Sequence, residues 1–315
     1  MRKVFIINPN AGKGGYKEQL VSFLEKNHIK YYFTSYAGEE TEIVKKEAAK
    51  GDEVIIFSCG GEGTNYEVIN GIVNFPNATI GFVPCGTGND FIKYFGDKAP
   101  FLDLENQMEG ERFYLDLIKV ESDDKTYYGV NSCSAGMDAM VCKNTDKFKK
   151  IPFVSGSLAY GLGIVNTVLR KFDKNMDFII DGKEYKDIPS LFAVCANAPY
   201  YGGGYKCSPN ANPSDGELNF SIIATRSKLK LISILDKYKK GTHINLDYCY
   251  HGTCKKMEYH CSDKIAFNID GEVYDFSNVT CEIIPKAIKF ILPKSLISAF
   301  SNKLISVENK EFELV

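Results

Sequence analysis

The stretch VIIFSCGGEGTN, residues 54–65, decides the class of fold that this sequence predicts. Its first half, Val54–Cys59, is a short apolar run rich in β-branched and aromatic residues, which is typical of a buried strand. Glycines end that run, and a helical pattern begins at Thr64 and extends to Val73. A strand that leads through a glycine-rich turn into a helix is the repeating unit of a parallel α/β sheet.

The same alternation continues on both sides of this stretch in the N-terminal part of the chain. We predict strands at Val4–Ile7, Lys30–Thr34 and Thr79–Val83, and helices at Lys17–Lys26, Thr41–Lys50 and Asn89–Tyr94. Alternating strands and helices form a parallel sheet that helices cover on both faces. Ligands bind such sheets at the loops that follow the carboxyl ends of the strands.

The pattern changes near Tyr114, where short β-rich runs separated by turns replace the alternation. The predicted strands are Thr126–Cys133, Met176–Ile180, Leu191–Ala196, Leu218–Ala224, Ile265–Ile269 and Thr280–Ile284, interrupted by helices at Ser157–Lys171 and Lys228–Lys240. Such runs predict a largely antiparallel β-sandwich. We therefore predict an α/β nucleotide-binding domain at residues 1–118 and a β-sandwich domain at 119–290. The tail at 291–315 either packs back on the first domain or frays.

Composition excludes several classes of protein. The chain has 315 residues, of which 44% are hydrophobic and 25% charged, and its formal net charge is −2, so it has no basic field for nucleic acid. No apolar run approaches the ~18 residues of a membrane span, and Val4–Ile7 is shorter than the core of a secretory signal, roughly 7–15 residues. We expect a cytoplasmic protein without a transmembrane segment. A peripheral position at the inner membrane face and a homodimer stay open.

The ten cysteines are scattered and many lie in apolar runs, which favours buried thiols in a reducing compartment over a disulfide scaffold. One group is denser: Cys249, His251, Cys254, His260 and Cys261. Its spacings match no standard zinc finger or ribbon, so ordinary strand or loop positions are the better interpretation.

Three glycine-rich loops each follow a predicted strand of the first domain. They are Asn8–Gly15, Gly60–Asn65 and Pro84–Asp90, and the last two lead directly into helices. Glycine allows close backbone approach, so that N–H groups converge on an anion, and a helix N-terminus adds positive dipole character. The three loops together predict a polyphosphate site. The spacings match neither a Walker A loop nor a dinucleotide-binding fingerprint.

These loops resemble three signatures of the diacylglycerol-kinase and sphingosine-kinase superfamily. The matching residues are Asn8-Pro9-x-x-Gly12, Gly60-Gly61-Glu62-Gly63-Thr64 and Gly86-Thr87-Gly88-Asn89-Asp90-Phe91, followed in order by Gly202-Gly203-Gly204, Ser214-Asp215-Gly216-Glu217-Leu218 and Asp270-Gly271-Glu272. The resemblance extends from about Val4 to Pro293. NAD kinases share the second loop but do not usually combine it with the third, so the resemblance favours a lipid kinase.

The resemblance implies an active site that binds ATP and Mg²⁺ in a cleft between the two domains. The residues implied to surround ATP are Asn8, Pro9, Asn10, Ala11, Gly12, Thr34, Gly61, Glu62, Gly63, Thr64, Asn65, Tyr66, Glu67, Gly86, Thr87, Gly88 and Asn89. Glu272 matches the general base that accepts the proton of the lipid hydroxyl. Asp90, Asp116 and Asp270 are the implied carboxylates around the catalytic Mg²⁺.

The resemblance also implies a second, structural Mg²⁺ or Ca²⁺ ion at the turn Asn212–Glu217. Its implied ligands are Asn212, Asp215 and Glu217. An Asx-type turn without metal is the alternative, because Asp-Gly encodes such a turn by itself.

Two residues depart from the family pattern. Ala11 stands where a serine is usual, and Glu62 stands where aspartate is usual in the second loop. The extra methylene moves the carboxylate by roughly one C–C bond, and a displacement of about 1 Å in a preorganised site can cost on the order of 100-fold in rate. An active kinase, a weak or differently selective kinase, and a non-catalytic nucleotide- or lipid-binding protein all stay open.

The acceptor is the least defined part of the prediction. We expect a lipid alcohol at the membrane surface, in phospholipid metabolism, with diacylglycerol as the leading choice. Phosphatidylglycerol, a sphingoid base and NAD are the alternatives. Two helices are candidates for lipid contact, one through an apolar stripe (Leu158, Leu162, Val165, Val168, Leu169) and one through basic residues (Arg226, Lys228, Lys230, Lys237, Lys239, Lys240). An ordinary packed helix and an ordinary solvated helix are the alternatives for the two.

Overall fold

A computed structural model describes residues 1–12, 16–137, 139–143, 175–225 and 231–306 of the chain. Unit 1 contains the described residues of Met1–Leu117, Pro213–Gly216 and Ile284 onward, and unit 2 contains those of Ile118–Asn212 and Glu217–Ile283. The first half of the chain contains β1 (Arg2–Ile7), α1 (Tyr16–Lys26), β2 (Lys30–Phe33), α2 (Glu39–Ala48), β3 (Val54–Gly60), α3 (Glu62–Ile72), β4 (Ala78–Pro84), a 3₁₀ helix (Phe91–Phe95), α4 (Ala99–Leu102), α5 (Leu104–Met108), β5 (Glu111–Ser122), β6 (Lys125–Gly129) and β7 (Ser132–Gly136).

The second half is mostly strands. It contains β8 (Met176–Ile180), β9 (Lys183–Ile188), β10 (Ser190–Ala196), β11 (Leu218–Ala224), α6 (Leu231–Lys240), a 3₁₀ helix (His243–Asn245), β12 (Cys249–Cys254), β13 (Lys256–Ile269), β14 (Glu272–Leu292), a 3₁₀ helix (Lys294–Leu296), α7 (Ile297–Phe300) and β15 (Ile305–Ser306). The border between the two units falls within β5 and within β14.

Unit 1 is built on the predicted parallel sheet. The strands lie in the order β2-β1-β3-β4, all parallel, and the C-terminal part of β14 pairs with β4 in the same direction. All residues of β3 and β4 are buried, as expected for strands that are covered on both faces. Phe5 of β1 stacks on Phe57 of β3 with ring centroids 4.3 Å apart. The carboxyl ends of β1, β3 and β4 therefore meet at one edge of this sheet.

The C-terminal residues contribute to the same unit. β15 pairs antiparallel with β5, with Ile305 opposite Tyr114. Phe300 of α7 lies 5.2 Å from Phe95, measured between ring centroids, in an aromatic cluster that also contains Phe101 and Phe290.

Unit 2 is antiparallel, as the sequence predicts. Its strands lie in the order β12-β11-β10-β7-β13, and β13 also pairs with β8 and with the N-terminal part of β14. α6 buries Ile234 and Tyr238 in the core of this unit, where Tyr238 lies 5.2 Å from Phe192 between ring centroids.

Several element boundaries differ from the predicted ones. The predicted strand Thr126–Cys133 is two strands, β6 and β7, because the backbone N–H groups between them donate to the side chain of Asp270. The predicted strands Ile265–Ile269 and Thr280–Ile284 are parts of the longer β13 and β14. The predicted helix at Asn89–Tyr94 is a 3₁₀ helix.

The helices considered for lipid contact lie partly or wholly outside the described residues. This applies to the whole predicted helix Ser157–Lys171 and to residues 226–230 of the basic helix, whose described part is α6. Within the described part of the chain, Cys249, His251, Cys254, His260 and Cys261 do not bring three ligand atoms together as a metal site would require.

Candidate active site

Three loops of unit 1 contact one another at the carboxyl edge of the parallel sheet. The backbone N–H of Gly86 donates to the carbonyl oxygen of Gly60 (3.0 Å). The side-chain amide of Asn8 donates to Oγ1 of Thr64 (3.2 Å). These bonds connect the third loop to the second and the first loop to the second. The structure thus brings together the loops that the sequence singled out.

Glycine is required at two of these contacts because the backbones approach closely. A Cβ atom on Gly86 would lie 2.7 Å from Cα of Gly61, and one on Gly12 would lie 2.5 Å from the carbonyl oxygen of Cys85. Both distances are too short for any other residue without a shift of the backbone. Gly12 also has a φ of 82°, in the left-handed region that favours glycine.

α3 begins directly at the second loop. Its N-cap is Gly61, which has no side chain to cap the first turn, and the helix extends for 11 residues. The first N–H groups of a helix have no partner within the helix, and the helix dipole makes this end positive. The start of α3 therefore suits an anion that approaches the three loops.

Glu62 connects the second loop to the third. Its Oε1 accepts the backbone N–H of Asp90 at 2.9 Å. A Cβ atom on Gly88 would lie 2.7 Å from the same oxygen, so the carboxylate lies directly against the third loop. The longer side chain of glutamate thus reaches a backbone group of the neighbouring loop.

The third loop ends in two buried polar residues. Asn89 has a φ of 51°, and its side-chain amide donates to the carbonyl oxygen of Gly86 (2.6 Å). Its Oδ1 is buried and has no hydrogen-bond partner among the described residues. Asp90 is 1% exposed, and its carboxylate pairs with Lys93. Sequence reasoning missed Lys93, although a spacing of three residues in a predicted helix is the signal for such a pair.

The remaining residues of the predicted ATP set mostly hold the loops in place. Oγ of Ser58 donates to Oδ1 of the buried Asn65 (2.7 Å), and Oγ1 of Thr34 donates to Oε1 of Glu40 (2.9 Å). Oε2 of Glu67 accepts the backbone N–H of Gly38 (2.8 Å). The first bond connects β3 to α3, the second connects the residue after β2 to α2, and the third connects α3 to the residue that precedes α2.

Other members of the set differ in exposure. Tyr66 is buried, whereas Asn10 and Thr87 are exposed. The backbone N–H of Asn10 donates to Oδ1 of Asn8 at 3.0 Å, which shapes the first loop as an Asx turn. Pro9 and Ala11 lie in the first loop, and Gly63 lies in the second loop at the start of α3.

Asp116 supports the turn at Pro213–Gly216. Its Oδ2 accepts the backbone N–H of Gly216 (2.6 Å), and its Oδ1 accepts that of Lys286 (2.7 Å). The backbone N–H of Asp116 donates in turn to the carbonyl oxygen of Pro213 (2.9 Å). Asp215 is exposed in this turn. The structure therefore brings Asp116 together with the turn that carries the predicted structural ion, a neighbourhood that sequence reasoning missed.

In unit 2, Asp270 and Gly271 form the tight turn between β13 and β14. Ile269 pairs with Glu272, and the two intervening residues have φ values of 48° and 97°. Positive φ at both positions is the geometry of the type I′ hairpin turn, which Asp-Gly favours. Glu272 is therefore an exposed residue at the first position of β14. The Asp-Gly pair between two apolar runs was the sequence signal for this hairpin, and sequence reasoning missed it.

The carboxylate of Asp270 is occupied by backbone N–H groups. It accepts hydrogen bonds from Val130 (2.6 Å), Asn131 (3.0 Å) and Ser132 (2.8 Å), and it is 6% exposed. Burial raises the pKa of the Asp270 carboxyl to about 6, and the three N–H donors oppose that shift. These contacts make Asp270 an anchor for the turn that precedes Glu272.

Comparison with known proteins gives the family. Residues 2–120 match the model of the diacylglycerol kinase catalytic domain, and residues 131–292 match that of the YegS C-terminal NAD kinase beta sandwich-like domain. The chain is 27% identical over 281 residues to a diacylglycerol kinase of Bacillus subtilis (strain 168), which covers 86% of this chain and 89% of that protein.

A solved structure supports the fold. The chain superposes on a diacylglycerol kinase of Bacillus anthracis str. Sterne with a TM-score of 0.67 and 17% sequence identity, covering 94% of this chain and 98% of that one. No helix among the described residues is long and apolar enough to span a membrane. The fold prediction is confirmed, with parallel N-terminal strands and a C-terminal β-sandwich-like domain, and the chain belongs to the diacylglycerol-kinase-like family of lipid kinases.

Proposed function

We propose that this lipid kinase transfers the γ-phosphoryl group of ATP to the hydroxyl of diacylglycerol with the aid of Mg²⁺. The observation that carries the proposal is the contact of three glycine-containing loops at one sheet edge, beside the N-terminus of α3. Such an arrangement offers several backbone N–H groups to a polyphosphate. The names of the matched family model and of the Bacillus subtilis relative support diacylglycerol as the acceptor.

The residues present fit a phosphate chain. The close approach at Gly86 brings the backbones of the second and third loops together, and the start of α3 has no side-chain cap. We assign ATP binding to the three loops, from Asn8–Gly12, Gly61–Glu67 and Gly86–Asn89, with Thr34 supporting α2. The side chains of these residues mainly fix the loops, so the backbone provides most of the phosphate contacts.

The carboxylates present also fit a magnesium ion, which prefers oxygen ligands. We assign this ion to Asp90, which is buried at the end of the third loop, with Lys93 as its charged neighbour. When bound, Mg²⁺ neutralises charge on the phosphates. Asp116 and Asp270 accept hydrogen bonds from backbone groups, so we assign them to positioning the two turns that they hold.

We assign the role of general base to Glu272, because its position matches the family motif and its side chain is exposed at the start of β14. In this scheme the lipid oxygen forms a bond to the γ-phosphorus and the bond from that phosphorus to the bridging oxygen of ADP breaks. The proton of the lipid hydroxyl passes to Glu272. Positioning contributes most of the rate, since phosphoryl transfer needs little covalent chemistry from the protein.

We also propose a structural Mg²⁺ or Ca²⁺ ion at the turn that contains Asn212, Asp215 and Glu217. Carboxylate and amide oxygens are suitable ligands for both ions. The protein would act in the cytoplasm, at the surface of the membrane that holds its substrate.

The test is a kinase assay with labelled ATP and mixed micelles that contain diacylglycerol. Parallel reactions contain phosphatidylglycerol, a sphingoid base or NAD. We expect labelled phosphatidic acid from the wild type and a loss of at least about 100-fold in kcat for Glu272→Gln, with little change in the KM for ATP.

The outcomes separate the alternatives. If another acceptor is phosphorylated and diacylglycerol is not, that acceptor replaces diacylglycerol as the proposed substrate. ATP binding without labelling of any acceptor would establish a non-catalytic nucleotide-binding protein. A Glu272→Gln variant as active as the wild type would remove the assignment of the general base. Asp275→Asn, a change of an exposed carboxylate on the same strand, is the matched control.

A further inference from the structure

Three cysteines meet in the core of unit 2, outside every residue used in the proposed reaction. The Sγ atoms of Cys133, Cys195 and Cys281 all lie within 4.8 Å of one another. Each of the three residues is 0% exposed, and none forms a disulfide. Within the described part of the chain, no other group of His, Cys, Asp or Glu residues brings three ligand atoms this close.

The antiparallel pairing explains how two of the thiols meet. Cys133 of β7 lies directly opposite Cys195 of β10, and side chains of directly opposite residues point to the same face of a sheet. Cys281 comes from β14, where it is paired with Met257 of β13. Three different strands therefore supply one sulfur each, and hydrogen bonds to the neighbouring strands fix the backbone of each.

A buried polar oxygen borders the same cluster. Tyr259 is 2% exposed, and its side chain interacts with the thiol of Cys195.

The surroundings of the cluster are apolar and aromatic. The aromatic rings of Phe178 and Phe267 lie 5.6 and 5.1 Å from the ring of Tyr259, so the surroundings offer little solvation.

A thiophilic cation fits these observations better than a hard one. Sulfur atoms that bind one zinc ion at about 2.3 Å lie about 3.8 Å apart, so the observed limit of 4.8 Å requires only a small contraction. Zinc favours four ligands, and the hydroxyl of Tyr259 supplies an oxygen beside three sulfurs. Mg²⁺ and Ca²⁺ prefer oxygen, so this cluster would not compete for the ions of the proposed reaction.

We propose that Cys133, Cys195 and Cys281, with the hydroxyl of Tyr259 as the fourth group, bind one zinc ion in the core of unit 2. Binding deprotonates the thiols, and the released protons pass to solvent while the strands are still folding. The ion holds β7, β10, β13 and β14 together and has no part in phosphoryl transfer. The proposal is independent of the identity of the substrate.

The first experiment measures the zinc content of the full chain, expressed in zinc-supplemented medium and purified without chelators. We expect about one zinc per chain in the wild type and less than about a tenth of that in Cys133→Ala, Cys195→Ala and Cys281→Ala. Tyr259→Phe removes only the oxygen, so it should retain zinc in the purified chain but lose it faster to a chelator. Cys207→Ala is the matched control, because Cys207 is a buried cysteine of the same unit outside the cluster and should not change the zinc content.

A second experiment does not depend on variants that fold. The wild-type chain is refolded with Co²⁺ as the probe, and the intensity of sulfur-to-cobalt charge transfer in the near ultraviolet is recorded. We expect a band whose intensity fits three thiolates and which zinc abolishes. If zinc-free wild-type protein refolded with Co²⁺ shows no such band, the proposal is overturned. The three cysteines are then neutral thiols packed in the core. Equal zinc loss in Cys207→Ala, or a disulfide within the cluster, would overturn it as well.

Discussion

At residue 62 one additional methylene decides which group the carboxylate reaches. Oε1 of Glu62 accepts the N–H of Asp90, the last residue of the third loop, at 2.9 Å. Aspartate at this position would have to move its backbone to make the same bond. Glutamate therefore fixes the third loop in a manner that the shorter residue cannot reproduce without rearrangement.

We predict that two substitutions of Glu62 lower the activity to different extents. Glu62→Asp should lower kcat/KM for ATP by about 10- to 100-fold, because the third loop loses its acceptor. Glu62→Gln retains an acceptor oxygen at the same length and should stay within a few-fold of the wild type. Steady-state kinetics over a range of Mg²⁺ concentrations would check this. A larger loss in Glu62→Gln than in Glu62→Asp would show that the charge, and not the length, matters.

Asp270 offers a second prediction at the scale of one residue. Asp270→Asn removes the charge, and one side-chain oxygen becomes an N–H₂ group that faces backbone donors. We expect the free energy of unfolding to fall by about 1–3 kcal/mol. Urea denaturation would measure it, beside the exposed change Asp275→Asn as the control. An unchanged stability in Asp270→Asn would contradict the anchoring role.

At the scale of elements, the contact between the second and third loops depends on two glycines, Gly61 and Gly86, that differ in the space available for a side chain. A Cβ on Gly86 would lie 2.7 Å from Cα of Gly61, whereas a Cβ on Gly61 would lie 3.8 Å from Cα of Gly86, an ordinary contact. We predict that Gly86→Ala forces the loops apart and weakens ATP binding by about 10-fold or more. Gly61→Ala should have a smaller effect. Calorimetric titration with ATP checks the order, and the reverse order would refute it.

The edge of the parallel sheet is tied to α2 through Glu47. The carboxylate of Glu47 is 2% exposed and pairs with Arg2 of β1, Lys30 of β2 and Lys50, each at 2.7 Å. Burial acts to raise the pKa of Glu47, but hydrogen bonds from Lys30, Lys50 and Tyr32 outweigh it and lower the pKa to about 2. One buried carboxylate therefore connects two strands and a helix.

This arrangement predicts a specific dependence of stability on pH. A carboxylate with a lowered pKa contributes stability that is fully present above its unfolded value of 4.5 and is lost as the pH falls to about 2. At pH 7, Glu47→Gln should lower the free energy of unfolding by about 1–3 kcal/mol. The difference from the wild type should shrink as the pH falls below about 4. A difference that stays constant with pH would exclude the ion pairs as its cause.

At the scale of the whole molecule, ligand binding should stabilise the unit that holds the loops. ATP with Mg²⁺ at about 100 times its Kd should add about 2.7 kcal/mol to the stability of the folded state. We expect the calorimetric unfolding transition to move to higher temperature, and we expect Gly86→Ala to reduce that shift at the same ATP concentration. A wild type that shows no shift with ATP would argue against the proposed site.

Local sequence patterns predicted the alternating strands and helices of unit 1 and the antiparallel strands of unit 2. Val54–Cys59 is apolar throughout and is followed by glycines, and this local pattern suffices to predict β3 and the turn after it. The motifs that indicate the family are local as well, since each spans a few consecutive residues. Element ends depend on contacts from elsewhere in the chain, as β6 and β7 illustrate, because the distant carboxylate of Asp270 accepts hydrogen bonds from the N–H groups between them.

The folded structure showed which groups meet although they are distant along the chain. It placed the carboxylate of Glu62 against the third loop, Asp116 beside the turn at Pro213–Gly216, and Asp270 under three backbone N–H groups. It also assembled the sulfurs of Cys133, Cys195 and Cys281, which are far apart in sequence, whereas the denser group Cys249, His251, Cys254, His260 and Cys261 forms no such cluster among the described residues. The physical reason is that strand pairing joins residues far apart in sequence, whereas periodicity reports only neighbours along the chain.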